Sequence, residues 1–207
     1  MSTVAHQALR SHAREPHLIE AARALFAKHP IERVTLNMLG LAAGIERTWV
    51  HRWGSREDLY RRASRIWLSA LDEALACDVR IDNGVIRYLA DQASALVKHF
   101  ERETYRDLML VLVRDGESVP WLVEAYTLRV ERLVAQVELR IGAASRRLGA
   151  NVGAPRDAIR HFIRELELQF AVRSMTPGAP TNLRDPSALL KRACSDLNAT
   201  LVVFETT

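Results

Sequence analysis

Residues 18 to 60, LIEAARALFAKHPIERVTLNMLGLAAGIERTWVHRWGSREDLY, decide how this chain folds. The segment reads as an apolar helix, a short helix, a glycine turn, a second short helix and a capped fourth helix. Leu36, Leu39 and Leu41-Ala42-Ala43 build the first short helix, Gly44 lets the backbone reverse at positive φ, and Ile45 starts the next helix. Two helices joined by so tight a turn form a helix-turn-helix unit, whose second helix can enter the major groove of DNA.

Outward from this unit the helical period persists nearly throughout, and no alternating strand pattern competes with it. The expected fold is all-α with about nine helices. Leu18, Ala21, Ala22, Leu25 and Phe26 give the first an apolar face, with Pro16 near its first turn and Pro30 as its stop. Ser55-Arg56-Glu57-Asp58 fits a capping box opening a helix striped by Leu59, Ala63, Ile66, Trp67, Ala70, Leu71 and Ala74. A further stripe runs from Ile86 to Phe100, and the almost fully apolar run Leu108 to Val113 is expected to be buried on all sides. Pro120 begins a long helix that lasts until Gly149 to Gly153 breaks it. The last two helices open at Pro155 and Pro186. Ile159, Phe162, Ile163, Leu166 and Phe170 on one, with Leu190, Ala193, Leu197 and Leu201 on the other, are either the chain's own core or, the favoured expectation, half of a four-helix dimer interface.

Placing residues 45 to 53 at 100° steps separates two groups. Ile45, Trp49, Val50 and Trp53 fall on a core side; Arg47, Thr48, His51 and Arg52 fall on the other and are the expected DNA-facing set. Arginines can bond guanine edges or phosphates, Thr48 can touch a thymine methyl, and His51 can donate to a phosphate oxygen. Thr35 is placed to cap the preceding helix and to share a phosphate with its free N–H groups, and Arg56 is a further expected backbone contact. Arg10 and Arg14 lie in a polar arm before the first helix.

Charge follows the same division. Residues 1 to 65 hold eleven Lys and Arg against six Asp and Glu, whereas the remainder holds eighteen against nineteen. An excess of that sign suits phosphate contact with counterion release. No apolar run approaches a membrane span and the N-terminal residues do not resemble a signal peptide, so a cytoplasmic protein without membrane partners is expected. Cys77 and Cys194 have neither disulfide-framework nor zinc-ligand spacing, and His6, His12 and His17 are spread around a helix, so no metal or cofactor is expected. HExxH, di-iron, phosphate-loop and GxSxG patterns are missing from the sequence, which gives an enzyme no support.

At these residues the chain resembles the tetracycline-repressor (TetR) family of bacterial regulators. The AARALF helix, Val34-Thr35 before Leu36 to Ala42, Ala43-Gly44-Ile45, and Trp53-Gly54-Ser55-Arg56-Glu57-Asp58-Leu59 carry the likeness. Between Ala43-Gly44 and Trp53 the chain is one residue shorter than the family pattern, and either Val50 or His51 takes the place of the family's tyrosine. Glu46 stands where the family has a small hydroxyl residue.

The resemblance implies a three-helix DNA-binding domain over residues 1–55 and a helical ligand-binding and dimerisation domain over 56–207. Its implied partners are a palindromic double-stranded DNA operator, a second copy of the chain and a small-molecule effector, the protein acting as a repressor. Trp67, Tyr88, His99, Met109, Trp121, Tyr126 and Phe162, large or polar residues in otherwise apolar helices, are the candidate effector contacts. The alternative is a helical ligand-binding or protein-interaction module that kept the fold without reading DNA specifically.

Overall fold

The computed structural model describes residues 3–75, 85–147 and 156–175, and all of the regular structure among them is helical. Eight α-helices follow one another: α1 (Thr3–Lys28), α2 (Leu36–Ala43), α3 (Arg47–Val50), α4 (Arg56–Leu75), α5 (Val85–Phe100), α6 (Glu103–Asp115), α7 (Pro120–Arg147) and α8 (Arg156–Met175). Two 3-10 turns, Ile31–Arg33 and His51–Trp53, complete the set. The ninth expected helix, with Leu190, Ala193, Leu197 and Leu201, lies outside the described residues, as do Cys77, Cys194 and the Gly149 to Gly153 break.

The chain packs as two compact units, one made of Met1–Ser69 and Asp107–Val123, the other of Ala70–Arg106 and Glu124–Thr207. In the first, Leu18, Ala22 and Phe26 of α1 are fully buried, as their period requires. Tyr60 of α4 is the hub. Its ring meets Phe26 edge-on at 4.8 Å, Trp67 at 6.3 Å and Trp121 at 6.1 Å, and its hydroxyl donates to Asp115 Oδ2 at 3.1 Å. Arg114 bonds the same carboxylate at 2.7 and 2.8 Å and donates to the carbonyls of Phe26 and Ala27, near the C-terminal end of α1. Its cation thereby satisfies carbonyls that no later helical turn reaches. Asp107 likewise pairs with Arg23 at 2.8 Å.

Three local expectations are corrected. Pro16 lies inside α1, which already begins at Thr3; the run AHQALRSHARE preceding it is rich in strong helix formers and extends the helix upstream despite the missing N–H. Arg10 and Arg14 therefore belong to a helix. Leu108 to Val113 is not buried on all sides: Leu108 and Val111 are enclosed, whereas Val113 is 78% exposed and Leu110 41% in the single chain. The 3.6-residue period leaves one face of α6 outward even when every residue in the run is apolar. Finally, the helix after Gly44 begins at Arg47, not Ile45, and closes as a 3-10 turn from His51.

In the second unit, Ala93, Leu96 and Val97 of α5, Val130, Leu133, Val134, Val137 and Ile141 of α7, and Ile159, Phe162, Ile163 and Leu166 of α8 form the core. Arg160 bonds Glu131 at 3.0 and 3.1 Å. The expected interface face of α8, Ile159, Phe162, Ile163 and Leu166, is thus occupied by the chain's own packing, and the side chain of Phe170 lies outside the described residues. The large apolar residues this unit leaves exposed include Leu128, Leu139 and Leu168. No helix among the described residues is long and apolar enough to cross a membrane.

Candidate functional site

Thr35 caps α2, its hydroxyl accepting from the Met38 N–H at 3.2 Å. The other end closes at Gly44, which adopts φ 64° and ψ 32°. The Ile45 N–H then reaches the Gly40 carbonyl at 2.8 Å and the Gly44 N–H the Leu41 carbonyl at 3.2 Å. This paired return, a Schellman motif, needs the left-handed conformation that glycine adopts without steric cost. It delivers Ile45 into the core and turns the chain toward α3.

Over α3 and its 3-10 extension the faces separate largely as the sequence requires. Ile45, Val50 and Trp53 are buried, whereas Thr48, His51 and Arg52 are exposed. The side chain of Arg47 lies outside the described residues. Because Val50 is enclosed and His51 faces outward, His51 is the one of the two that stands beside the exposed set. Glu46, also exposed, caps α3 through its backbone alone, its carbonyl accepting from Trp49 and Val50 at 2.9 and 3.3 Å.

Trp49 departs from its expected core position. It is half-buried, and the guanidinium carbon of Arg52 lies 4.1 Å from the centre of its ring. The i, i+4 spacing from Ile45 misleads here because the chain between them is an extended turn, not a helix; Glu46 has φ −59° and ψ 139°.

The junction to α4 is a reciprocal capping box. Ser55 Oγ accepts from the Asp58 N–H at 3.1 Å, and Asp58 Oδ2 accepts from the Ser55 N–H at 2.8 Å and its hydroxyl at 2.8 Å. These donors hold the Asp58 carboxyl below its ordinary pKa. Gly54, at φ 117°, makes room for it: a Cβ there would sit 2.7 Å from Asp58 Oδ2. Arg56, expected to meet a phosphate, forks onto Glu57 Oε1 at 2.7 and 3.0 Å and reaches the Glu32 carbonyl at 3.2 Å. Its hydrogen bonds lower the Glu57 pKa.

The seven effector candidates are divided between the two units. Trp67, Met109 and Trp121 belong to the first unit, where Trp67 and Trp121 pack on Tyr60 and Arg61 lies 4.6 Å over the Trp121 ring. Tyr88, His99, Tyr126 and Phe162 belong to the second. Tyr88 and His99, with Gln92 between them, line one face of α5, and all three are buried. Neither ring nitrogen of His99 nor the Gln92 amide nitrogen has a hydrogen-bond partner among the described residues. Burial holds the His99 pKa down at about 4, so the imidazole is neutral. His99 also lines a groove of about 320 Å³ along α5, whose rim carries Asp91, Lys98, Glu73 and Arg102.

The sequence reading missed Tyr105 and Glu167. Both Tyr105, at 3.4 Å, and Tyr126 donate to Glu167 Oε1. The signal was present: Glu167 interrupts the apolar stripe of α8 one helical turn after Ile163. Burial raises the Glu167 pKa. No metal-holding group of His, Cys, Asp and Glu occurs among the described residues.

Residues 18–63 match the family model of bacterial regulatory proteins, tetR family. Three solved structures share the fold over nearly their whole length. One assigned to the TetR family of transcriptional regulators, from Mesorhizobium loti, is 18% identical, with a TM-score of 0.62, and the match covers 94% of this chain and 98% of that one. Salmonella enterica GusR is 20% identical at a TM-score of 0.63, covering 91% and 95%. A transcriptional regulator from Rhodococcus is 16% identical at 0.60, covering 89% and 94%. At these identities the likeness is one of fold. No curated protein matches the chain in sequence.

Proposed function

We propose, from the premise that this chain belongs through residues 18–63 to the tetR family of bacterial regulatory proteins and is on that ground a DNA-binding transcriptional regulator, that it is a homodimeric, ligand-responsive repressor of a palindromic operator. The observation that carries this reading is the outward placement of Thr48, His51 and Arg52 on the segment that follows the Gly44 turn. His51 takes the phosphate-bonding place of the family's tyrosine, the one-residue shortening being absorbed where α3 tightens into the 3-10 turn His51–Trp53. Arg47 and Arg52 read base edges, while Thr35 and Arg56 hold phosphates on either side. For Arg56 this requires exchanging Glu57 for a phosphate oxygen, a modest cost because exposed ion pairs are weak.

Dimerisation uses residues 56–207, with exposed Leu128, Leu139 and Leu168 extending the apolar surface offered to a second copy. It sets two recognition segments about one DNA turn apart, ~34 to 36 Å. An effector held in the helical domain favours one of two arrangements, and its differential affinity for them couples binding to operator release. Charge reversal at Arg47 and Arg52 tests the reading: operator binding should fall to the level of random DNA while the fold, by circular dichroism, is unchanged. Unaltered regulation by that variant would favour a helical module that does not read DNA.

A further inference from the structure

Glu46 is the single acidic residue between Gly44 and Trp53, and it stands at the entry to the recognition segment. Its carbonyl accepts from the Trp49 and Val50 N–H groups, which fixes its backbone at the N-terminal end of α3. The side chain is exposed, makes no capping hydrogen bond and has no ion pair among the described residues. Its acidic neighbours in the junction are engaged: Asp58 caps α4 and Glu57 holds Arg56.

Neither local role for this carboxylate is worth much. N-cap positions favour Ser, Thr, Asp and Asn, whose short side chains reach the N–H groups two and three residues on. Attraction to the helix dipole is small for a helix of one turn, Arg47–Val50. Against DNA the charge is unfavourable, since every phosphate repels it. Residues at the N-terminal end of a recognition helix are those that meet base edges, and an ionised carboxylate can only accept there. The donors in the major groove are the amino groups of cytosine N4 and adenine N6. The adenine amino group lies beside the N7 acceptor, a pair that suits an amide, whereas the cytosine edge presents a donor alone. Guanine O6 and N7 and thymine O4 are acceptors and repel the charge.

We infer that Glu46 is a specificity-determining residue of the DNA interface, its carboxylate accepting from the N4 amino group of one cytosine in each half-site. The inference rests on the DNA-reading function proposed above and deepens it by naming a base and its reader. Arg47, Thr48, His51 and Arg52 supply attraction. Glu46 supplies discrimination, because a wrong base at its position leaves a desolvated carboxylate facing an acceptor. Glu46→Ser removes the charge and provides a capping hydroxyl, so the variant should bind random duplex at least as tightly as the wild type while losing one base preference.

The test uses the full chain and a duplex operator that the wild type selects from a random-sequence library. Anisotropy is measured on that operator and on each of its base-pair substitutions, made in both half-sites together. The wild type should prefer cytosine at one symmetric position by about fivefold or more, and Glu46→Ser and the nearly isosteric Glu46→Gln should each reduce that preference to less than about twofold with the other positions unchanged. A selected operator without such a position, or a cytosine preference that survives in both folded variants, would overturn the inference and leave the regulator reading intact. So would an equal loss at every position, which would mark Glu46 as a support of the fold. A wild type that selects no sequence refutes the regulator reading, and this inference with it.

Discussion

The Arg52 guanidinium rests 4.1 Å from the centre of the Trp49 ring, three residues back along the recognition segment. Stacking narrows the rotamers of a long, flexible side chain before any DNA arrives, so part of the ordering cost of reading a base is already met. Removing Arg52 should cost about 1–3 kcal/mol of discrimination against a wrong base. Trp49→Ala should weaken operator binding by the smaller cation–π share, about 0.5–1 kcal/mol or a few-fold. Fluorescence anisotropy on operator and random duplexes separates the two, and a Trp49→Ala loss larger than that of Arg52→Ala would contradict the assigned order.

Gly44 and Gly54 should respond differently to a methyl group. At Gly44, φ is 64° and nothing lies within 4 Å of the place a Cβ would take. Gly44→Ala should therefore cost only the left-handed penalty, about 1–2 kcal/mol. At Gly54, φ is 117° and the added carbon meets the capping Asp58 carboxylate at 2.7 Å. Gly54→Ala combines backbone strain, about 1–3 kcal/mol, with loss of a cap worth about 1 kcal/mol. Urea denaturation should rank Gly54→Ala well below Gly44→Ala.

Much of this segment was legible because its signals are local. A Thr at an N-cap, a Gly at a left-handed turn and a Ser-x-x-Asp box each act through groups within a few residues. Helix faces were legible wherever the helix was regular, as for Leu18, Ala22 and Phe26 or Ile159, Ile163 and Leu166. Trp49 failed because a helical wheel was laid over a turn, and Leu110 and Val113 because composition alone cannot say which face of a run is covered. Which large side chains meet around a pocket is not legible locally, because a pocket depends on contacts between helices far apart in sequence. Glu167 and Tyr105, 62 residues apart, are brought together by packing that no local pattern encodes.

Arg114 holds the buried Asp115 carboxylate and the end of α1 at once. Arg114→Met leaves Asp115 without its cation and should destabilise by about 3–5 kcal/mol, the cost of breaking a buried pair from one side. The double variant Arg114→Met with Asp115→Asn should recover part of that loss. Chemical denaturation of the four proteins in the cycle checks this, and an additive double variant would show that the two residues do not act together.

His99 ties stability to pH. Its folded pKa is about 4 against an ordinary 6.5, so the folded state resists a proton that the unfolded chain accepts. The stability it contributes is complete above pH 6.5 and is lost as pH falls toward 4, by up to about 2–3 kcal/mol. His99→Leu should flatten that window relative to the wild type. Parallel pH–Tm curves for the two proteins between those limits would contradict the burial argument.

The proposed function requires, above all, that two outward-facing recognition segments read a two-fold site. Anisotropy titrations of the purified protein on duplexes from the DNA flanking its own gene, with random duplex as competitor at fixed physiological salt, measure that directly. We expect an inverted-repeat site bound by two chains, about 10³-fold or more tighter than random DNA. Binding with no preference over random DNA, or saturation by a single chain at a site without symmetry, would contradict it.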